Sequence, residues 1–399
     1  MAKRDRDVVQ SALTVLTSAA MALPGVSRAI TPPEKPELSF RWEMYNEDIT
    51  SEENNNAQVP FNRYDIDAYY FHLVLPYSEK LSFTASMDYE TMSGATPWYV
   101  TRNNDDPEKA EVVLTGASVD DERLDVSGSG TYYIDEGALT VSGGTSREED
   151  YVSLYGGVSA ALEFYDKHVV GDIGVSFSSD KLSPTPSSIP LPIGDRRVID
   201  ASKSSASLYA GFTQVLNRIS TYQMGMSYTV RTGFLSDPYK EVAIIGDTNS
   251  LQRFTEARPD DRKQFAWTHR YRLYLEESGT AFHGDYRYYS DNWSISSHTM
   301  DGALYRRRND ILLVGGLRYY TQDGADFYEP FYVGQYVEGN FYSSDYRLSD
   351  FSSLSWRVHA EKEFNGWTGI VSYELYDVDG DSPALIDFDI LSVGFSMTY

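Results

Sequence analysis

SISSH, residues 294–298, sets Ser294, Ser296 and Ser297 close to His298. Acyl transfer needs such a hydroxyl, an imidazole base and a polar group to orient it. The stretch opens a strand-like segment, lacks the setting of a nucleophile elbow, and belongs to a chain with 6 histidines. No catalytic residue is assigned from it, and a hydrolase is the weakest of three functions considered. DVDGD, residues 377–381, crowds three aspartates but lacks the residue order of a calcium loop and its trailing glutamate, so it reads as a solvated acidic turn. Acidic clusters at Asp105-Asp106, Asp120-Asp121-Glu122 and Glu148-Glu149-Asp150 read as outer-rim residues that keep loops soluble or bridge phosphates through divalent cations. No metal site and no cofactor are expected.

What these side chains can do depends on the elements that hold them. The dominant pattern is alternation, the mark of strands with one apolar face. In LSFTASMDYE, Leu81, Phe83, Ala85, Met87 and Tyr89 share one face, and Ser82, Thr84, Ser86, Asp88 and Glu90 share the other. Turning Asp88 and Glu90 toward lipid or a dry core would cost several kcal/mol each, so their face is wet. The same reading puts Val152, Leu154, Gly156, Val158, Ala160, Leu162 and Phe164 outward, and likewise Val169, Gly171, Ile173, Val175 and Phe177.

About sixteen such segments recur, each near the ten or so residues of a tilted membrane strand. They span 37–46, 63–76, 81–92, 122–134, 138–148, 151–164, 169–179, 203–216, 221–231, 264–275, 280–290, 296–306, 310–321, 350–363, 367–377 and 389–399. After the even-numbered segments come PYSE, DEG, YDKH, NRIS, EESG, RRN and FNG, whereas several odd-numbered ones lead into long stretches rich in Asp, Ser, Pro and Gly. Short turns on one side and long loops on the other are the habit of bacterial barrels. The expected fold is an all-β, closed antiparallel transmembrane barrel of about sixteen strands, with both termini periplasmic.

One hairpin is legible residue by residue. With EESG (276–279) as turn, Leu275 faces Thr280, Arg270 faces Asp285 inside the barrel, and Trp267 faces Tyr288 near the outer end. His269 and His283 then point to opposite faces and form no metal pair. Asp88, Glu90, Arg270, Arg272, Asp285 and Arg287 are the candidate lumen-lining residues, either as a selective surface or as a charge ladder that stiffens the wall.

Composition agrees with this picture. The chain has 399 residues, 14% aromatic, with 32 tyrosines, 29 glycines and no cysteine. Without sulfur ligands, disulfides, thiolate metal sites and covalent c-type haem are excluded. With 23% charged residues and a mean hydropathy of -0.43, no stretch has the apolar length of a membrane helix. The formal net charge of -25 argues against nucleic acid as a partner. At the N-terminus Lys3, Arg4 and Arg6 precede a mostly apolar or small run, and Ser27-Arg28-Ala29 suits cleavage after Ala29. Residues 1–29 are expected to be a signal peptide and 30–399 the barrel domain.

The strings SGATPW (93–98), SREEDYVS (146–153), GFLSDPYK (233–240), RPDDR (258–262), YRYYSDNWSISSHT (286–299), RYYTQDGADFY (318–328) and SSDYRLSDF (343–351) resemble a proteobacterial family of outer-membrane β-barrels catalogued as a domain of unknown function. The resemblance runs from about residue 93 to the C-terminus and implies residence in the outer membrane of a Gram-negative bacterium. It also implies a redox-linked setting, since members are encoded near thioredoxin-like and flavin-attachment proteins. It carries no catalytic or ligand residue with it.

Within the loops, Asp237, Tyr239, Asp326, Phe327, Tyr328, Asp345 and Arg347 are candidate functional residues. GADFYEPFYVGQY (324–336) holds too many large aromatics for a solvated loop, so it packs against the lumen wall or a partner, with folding inward to narrow a pore as one outcome. Leu391, Val393, Phe395, Met397 and Tyr399 form a terminal strand ending on an aromatic, the signal that barrel-assembly machinery reads, and they are expected to face lipid beside the segment near Leu38. A barrel of this size leaves an aqueous channel unless something fills it. The leading expectation is a passive porin-like channel for small hydrophilic solutes, touching outer-membrane lipid and lipopolysaccharide. The alternative is a scaffold for a periplasmic or redox partner in envelope electron transfer or assembly.

Overall fold

The computed structural model describes residues 30–49, 63–103, 106–114, 119–184, 198–247 and 250–399. The expected leader over residues 1–29, Asp105 and the side chain of Asp120 lie outside the described residues. In chain order the strands are β1 (Glu37–Glu47), β2 (Asp65–Ser78), β3 (Leu81–Gly94), β4 (Pro97–Arg102), β5 (Ala110–Leu114), β6 (Val119–Ile134) and β7 (Gly137–Arg147). Next come β8 (Tyr151–Phe164), β9 (Val169–Leu182), β10 (Ala201–Asn217), β11 (Ser220–Gly233), β12 (Glu241–Ile245), β13 (Leu251–Thr255) and β14 (Asp261–Leu275). The last seven are β15 (Thr280–Asp291), β16 (Ser296–Arg308), β17 (Ile311–Gln322), β18 (Tyr332–Val333), β19 (Phe351–Phe364), β20 (Trp367–Gly380) and β21 (Phe388–Thr398).

Sixteen of them close one antiparallel barrel in the order β1-β2-β3-β6-β7-β8-β9-β10-β11-β14-β15-β16-β17-β19-β20-β21. Closure comes where Leu38 of β1 pairs with Met397 of β21, which leaves no open edge among these strands. The sixteen segments expected from alternation are these sixteen strands.

Period 2 fixes the facing all the way round, because a one-residue slip would exchange the apolar and polar faces of a strand. The outward face carries large apolar side chains with nothing over them. Leu154 is 67% exposed, Phe177 61% and Val358 61%. A contiguous apolar surface of this extent is far beyond what a protein keeps in water, and it is what a bilayer solvates. Leu391, Val393, Phe395 and Met397 share that outward face of β21, and the Tyr399 amide donates to the Pro36 carbonyl beside it at 3.2 Å.

The two ends of the barrel differ. At one end consecutive strands join through short turns, as at EESG, where Gly279 takes φ +63°, a conformation glycine adopts without side-chain strain. Both the start of β1 and the end of β21 lie at this end, since Glu37 pairs with Val74 and with Thr398. At the other end the long connections hold structure that alternation gave no sign of. β4 pairs with β5, and β13, β12 and β18 make a small sheet joining the connection after β11 to the one after β17.

Candidate functional site

The lumenal wall is built from the polar half of the alternation. β3 turns Asp88 and Glu90 inward, and β6 answers with Asp125 opposite Asp88 and Arg123 opposite Glu90. Arg123 and Glu90 form a buried ion pair at 2.9 Å, with each side chain 3% exposed. β14 and β15 pair as the sequence suggests: Leu275 with Thr280, Arg270 with Asp285, Trp267 with Tyr288. The ion pair, however, is diagonal. Arg272 takes the Asp285 carboxylate in a two-pronged contact, with Nη2 to Oδ2 at 3.1 Å, while Arg270 Nη1 donates to Gln223 Oε1 at 3.4 Å. A diagonal neighbour lies within reach of a long arginine side chain, so register alone does not choose the partner. Arg287 also points inward, its guanidinium 5.7 Å from the Tyr289 ring.

Over the loop-side end lies a folded lid. Lys240, in the connection after β11, donates through Nζ to the Pro97 carbonyl at 3.1 Å, in the connection after β3. Arg63 Nη1, just before β2, donates to the Ala384 carbonyl between β20 and β21 at 3.2 Å. The Tyr239 hydroxyl donates to Asp150 between β7 and β8. Loops rooted as far as six strands apart in the ring can meet only by reaching across the mouth. Val100 and Val112 from the loop after β3 pack with Ala384 and Tyr346, and Val242, Ile244, Phe254 and Tyr342 form a second apolar cluster.

An ionic cluster ties the lid together. The Asp345 carboxylate receives Arg258 Nη2 at 2.6 Å, Arg347 Nε at 2.9 and 3.0 Å, and Lys240 Nζ at 3.9 Å. Glu256 receives Arg258 Nη2 at 2.9 Å, the Asp237 backbone N–H at 2.7 Å and the Ser343 hydroxyl. Arg347 Nη2 lies 3.7 Å from Asp237. Three carboxylates, each at most 3% exposed, and three cations, each at most 20% exposed, thus balance. Burial by itself would raise the Asp345 carboxyl, but Arg347, Lys240 and Arg258 outweigh it and hold it well below the usual carboxylate range. Burial pushes Glu256 the other way, up, in spite of Arg258.

Of the loop residues singled out from sequence, Asp237, Asp345 and Arg347 meet in this cluster. Tyr239 reaches Asp150, and Asp326 accepts from Ser294. Phe327 and Tyr328 pack against a cluster of Trp293, Ile295, Ala325 and Leu348. GADFYEPFYVGQY therefore covers other loops as well as the lumen end: the Phe331 ring lies 5.4 Å from the Arg102 guanidinium, and Tyr336 stacks on Phe254 at 4.1 Å. Lys240, Glu256, Arg258 and Arg63 bear no mark in the sequence, although Lys240 and Arg258 belong to GFLSDPYK and RPDDR, because an irregular loop has no period that would single out a charged residue.

Two expectations about acidic clusters need correction. Asp121, Glu148 and Asp150 are buried, at 8%, 9% and 7% exposure, instead of bathing the rim. Burial, with Asp121 close by, raises the Glu148 carboxyl to about 8, and burial raises Asp150 to about 6 against the Tyr239 hydrogen bond. DVDGD is strand as far as Gly380, not loop. In SISSH the His298 ring meets the Tyr286 hydroxyl at 2.8 Å, while Ser296 donates to Asp323 and Ser294 to Asp326. His269 faces outward against Tyr222 at 2.5 Å and His283 faces inward, so they form no pair.

A family model described as "Protein of unknown function (DUF3570)" matches residues 13–386. The chain belongs to the DUF3570 family. Among curated proteins none matches this DUF3570 member. Solved structures similar to it include a bacterial polysaccharide outer membrane secretin, at 8% identity over 92% of this chain and 98% of that one, TM-score 0.49. Others are OccAB4 of Acinetobacter baumannii (9%, 93% and 100%, TM-score 0.36) and the siderophore receptor PirA of Pseudomonas aeruginosa (12%, 88% and 57%, TM-score 0.42). The DUF3570 chain thus spans a little over half the length of the siderophore receptor. Its architecture is that of an outer-membrane-type β-barrel.

Proposed function

We propose that this barrel resides in the outer membrane of a Gram-negative bacterium, termini on the periplasmic side, and conducts small hydrophilic solutes past a folded loop lid. The observation that carries the reading is the inward face. Charged, Ser, Thr, Gly and Tyr side chains make up most of it, as on β3, β6, β7, β8, β14 and β15, where a barrel serving as a packed scaffold would fill itself with apolar side chains. The outward apolar belt supports residence in lipid, and β21 supplies the aromatic-ended strand for the assembly machinery. Outer-membrane lipid and lipopolysaccharide are the surroundings that this placement gives it. The reading assigns the chain no catalysis, no cofactor and no nucleic-acid partner.

The lid favours a second reading, a scaffold that holds a periplasmic or redox partner, because bridged loops restrict the mouth. Conductance in planar bilayers separates the two, measured on the purified barrel and on Asp345→Ala, which loosens the lid. Discrete currents that grow in the variant support the conduit. A barrel silent in both forms that co-purifies with a periplasmic protein supports the scaffold and refutes the conduit.

A further inference from the structure

The charges on the lumenal wall are sorted by side. Asp88, Arg287, Asp301, Arg318, Arg357 and Glu374 each stand seven residues in from the short-turn end of their strands, so they share one level of the barrel. On the wall of β1 to β6, Arg41 is engaged by Glu43 at 3.2 Å and Arg123 by Glu90 at 2.9 Å. That leaves Asp88 and Asp125, register partners on β3 and β6, with no cation within 4.0 Å among the described residues. The Tyr155 hydroxyl donates to Asp125 Oδ1 at 2.7 Å.

On the wall of β14 to β20 the surplus has the opposite sign. Asp285 engages Arg272, and Arg357 lies 3.3 Å from Asp301 and 3.9 Å from Glu374. Arg270, Arg287 and Arg318 are left with no carboxylate within 4.0 Å among the described residues. In the ring, β3 and β6 are third and fourth, while β15 and β16 are eleventh and twelfth, eight places away in a ring of sixteen and so directly across the lumen. At the height of Asp88 the wall between them carries Ser142, Ser159, Ser176, Ser207 and Thr229 at inward positions; its inward charges lie above or below, Glu163 and Asp172 near the short turns and Asp180, Lys203 and Arg231 near the loops, which leaves the two poles unneutralised at this level. Like charges opposite each other across strands weaken a sheet, so a ladder built only for stiffness would pair Asp88 and Asp125 with cations.

We propose that this belt sets a transverse field that selects zwitterionic solutes, amino acids and short peptides. The solute ammonium turns toward Asp88 and Asp125, and its carboxylate turns toward Arg270, Arg287 and Arg318. Low-dielectric walls focus such a field into the lumen. The inference rests on the conduit reading and deepens it by naming the solute class.

The test is swelling of proteoliposomes in glycylglycine and in the similarly sized neutral N-acetylglycinamide. It uses the wild type, Asp88→Asn/Asp125→Asn and Arg287→Gln/Arg318→Gln, each also with Asp345→Ala. The wild type admits glycylglycine about fivefold faster, the factor of one close charge contact in water. Either double variant brings the ratio toward one and leaves the neutral rate as it was. Should a double variant fail to give a heat-modifiable barrel, Asp88→Asn and Arg318→Gln alone carry the test, each with a drop of about twofold. Equal rates in the wild type, or variants that slow both solutes alike, overturn the inference while the conduit stands. No swelling with either solute, lid loosened or not, overturns the conduit reading and this one with it.

Discussion

Asp345→Ala should open the lid without unfolding the barrel. The Asp345 residue is 1% exposed and its carboxylate takes Arg258, Arg347 and Lys240 together, so its removal leaves three largely covered cations facing Asp237 and Glu256 alone. Breaking a buried ion pair from one side costs about 3–5 kcal/mol. At about 1.4 kcal/mol per factor of ten, the open lid should become about 10²-fold to a few 10³-fold more populated. Amide hydrogen exchange in detergent reads this directly at Val242, Ala243, Ile244 and Ile245, which β13 pairs and which are at most 5% exposed. Their exchange should accelerate by that factor while Val158 in β8 stays protected. The depressed Asp345 carboxyl sets the sign with pH: its contribution is fully present above the ordinary aspartate value near about 4 and disappears only as pH falls further, through its folded-state value. Unchanged protection in the variant, or β12 and the barrel opening together, would refute the reasoning.

Other positions make separate tests. Glu148 is raised from 4.5 to about 8, so the folded form binds its proton more tightly, and stability rises as pH falls from about 8 toward 4.5. Glu148→Gln should remove that slope and stabilise the barrel at pH 8.5 in thermal melts; an unchanged slope would count against a buried carboxyl. Val158→Arg puts a charge on the outward face midway along β8 and should cost about 2–4 kcal/mol, seen as a lower heat-modification temperature on gels. A substituted Cβ at Gly144 would lie 2.5 Å from the Tyr155 ring. Gly144→Ala should therefore shift Tyr155 off Asp125 and cost about 1–3 kcal/mol, and an unmoved tyrosine hydroxyl signal would argue against the packing.

By itself the sequence determined the barrel, because a strand with one face in lipid and one in water must alternate residue by residue, and the period survives without any tertiary knowledge. Sixteen strands and their facing follow from that rule, the hairpin register follows from the EESG turn, and the last strand is expected beside the segment near Leu38; that Met397 is the residue opposite Leu38 comes from the structure. It also placed Asp88, Glu90, Arg270, Arg272, Asp285 and Arg287 on the inward face, since facing depends on parity alone. Only the tertiary structure decided which charges pair. Arg272 and Arg270 are both within reach of Asp285, and Arg123 is needed at Glu90 before Asp88 and Asp125 can be seen as a surplus. Only the tertiary structure showed the lid as well. Lys240, Glu256 and Arg258 come from the connection between β11 and β14 and Asp345 from the one between β17 and β19, far apart in sequence, and irregular backbone has no period to read. Their meeting is fixed by the width of the mouth that the loops must cross, a dimension that exists once the ring has closed.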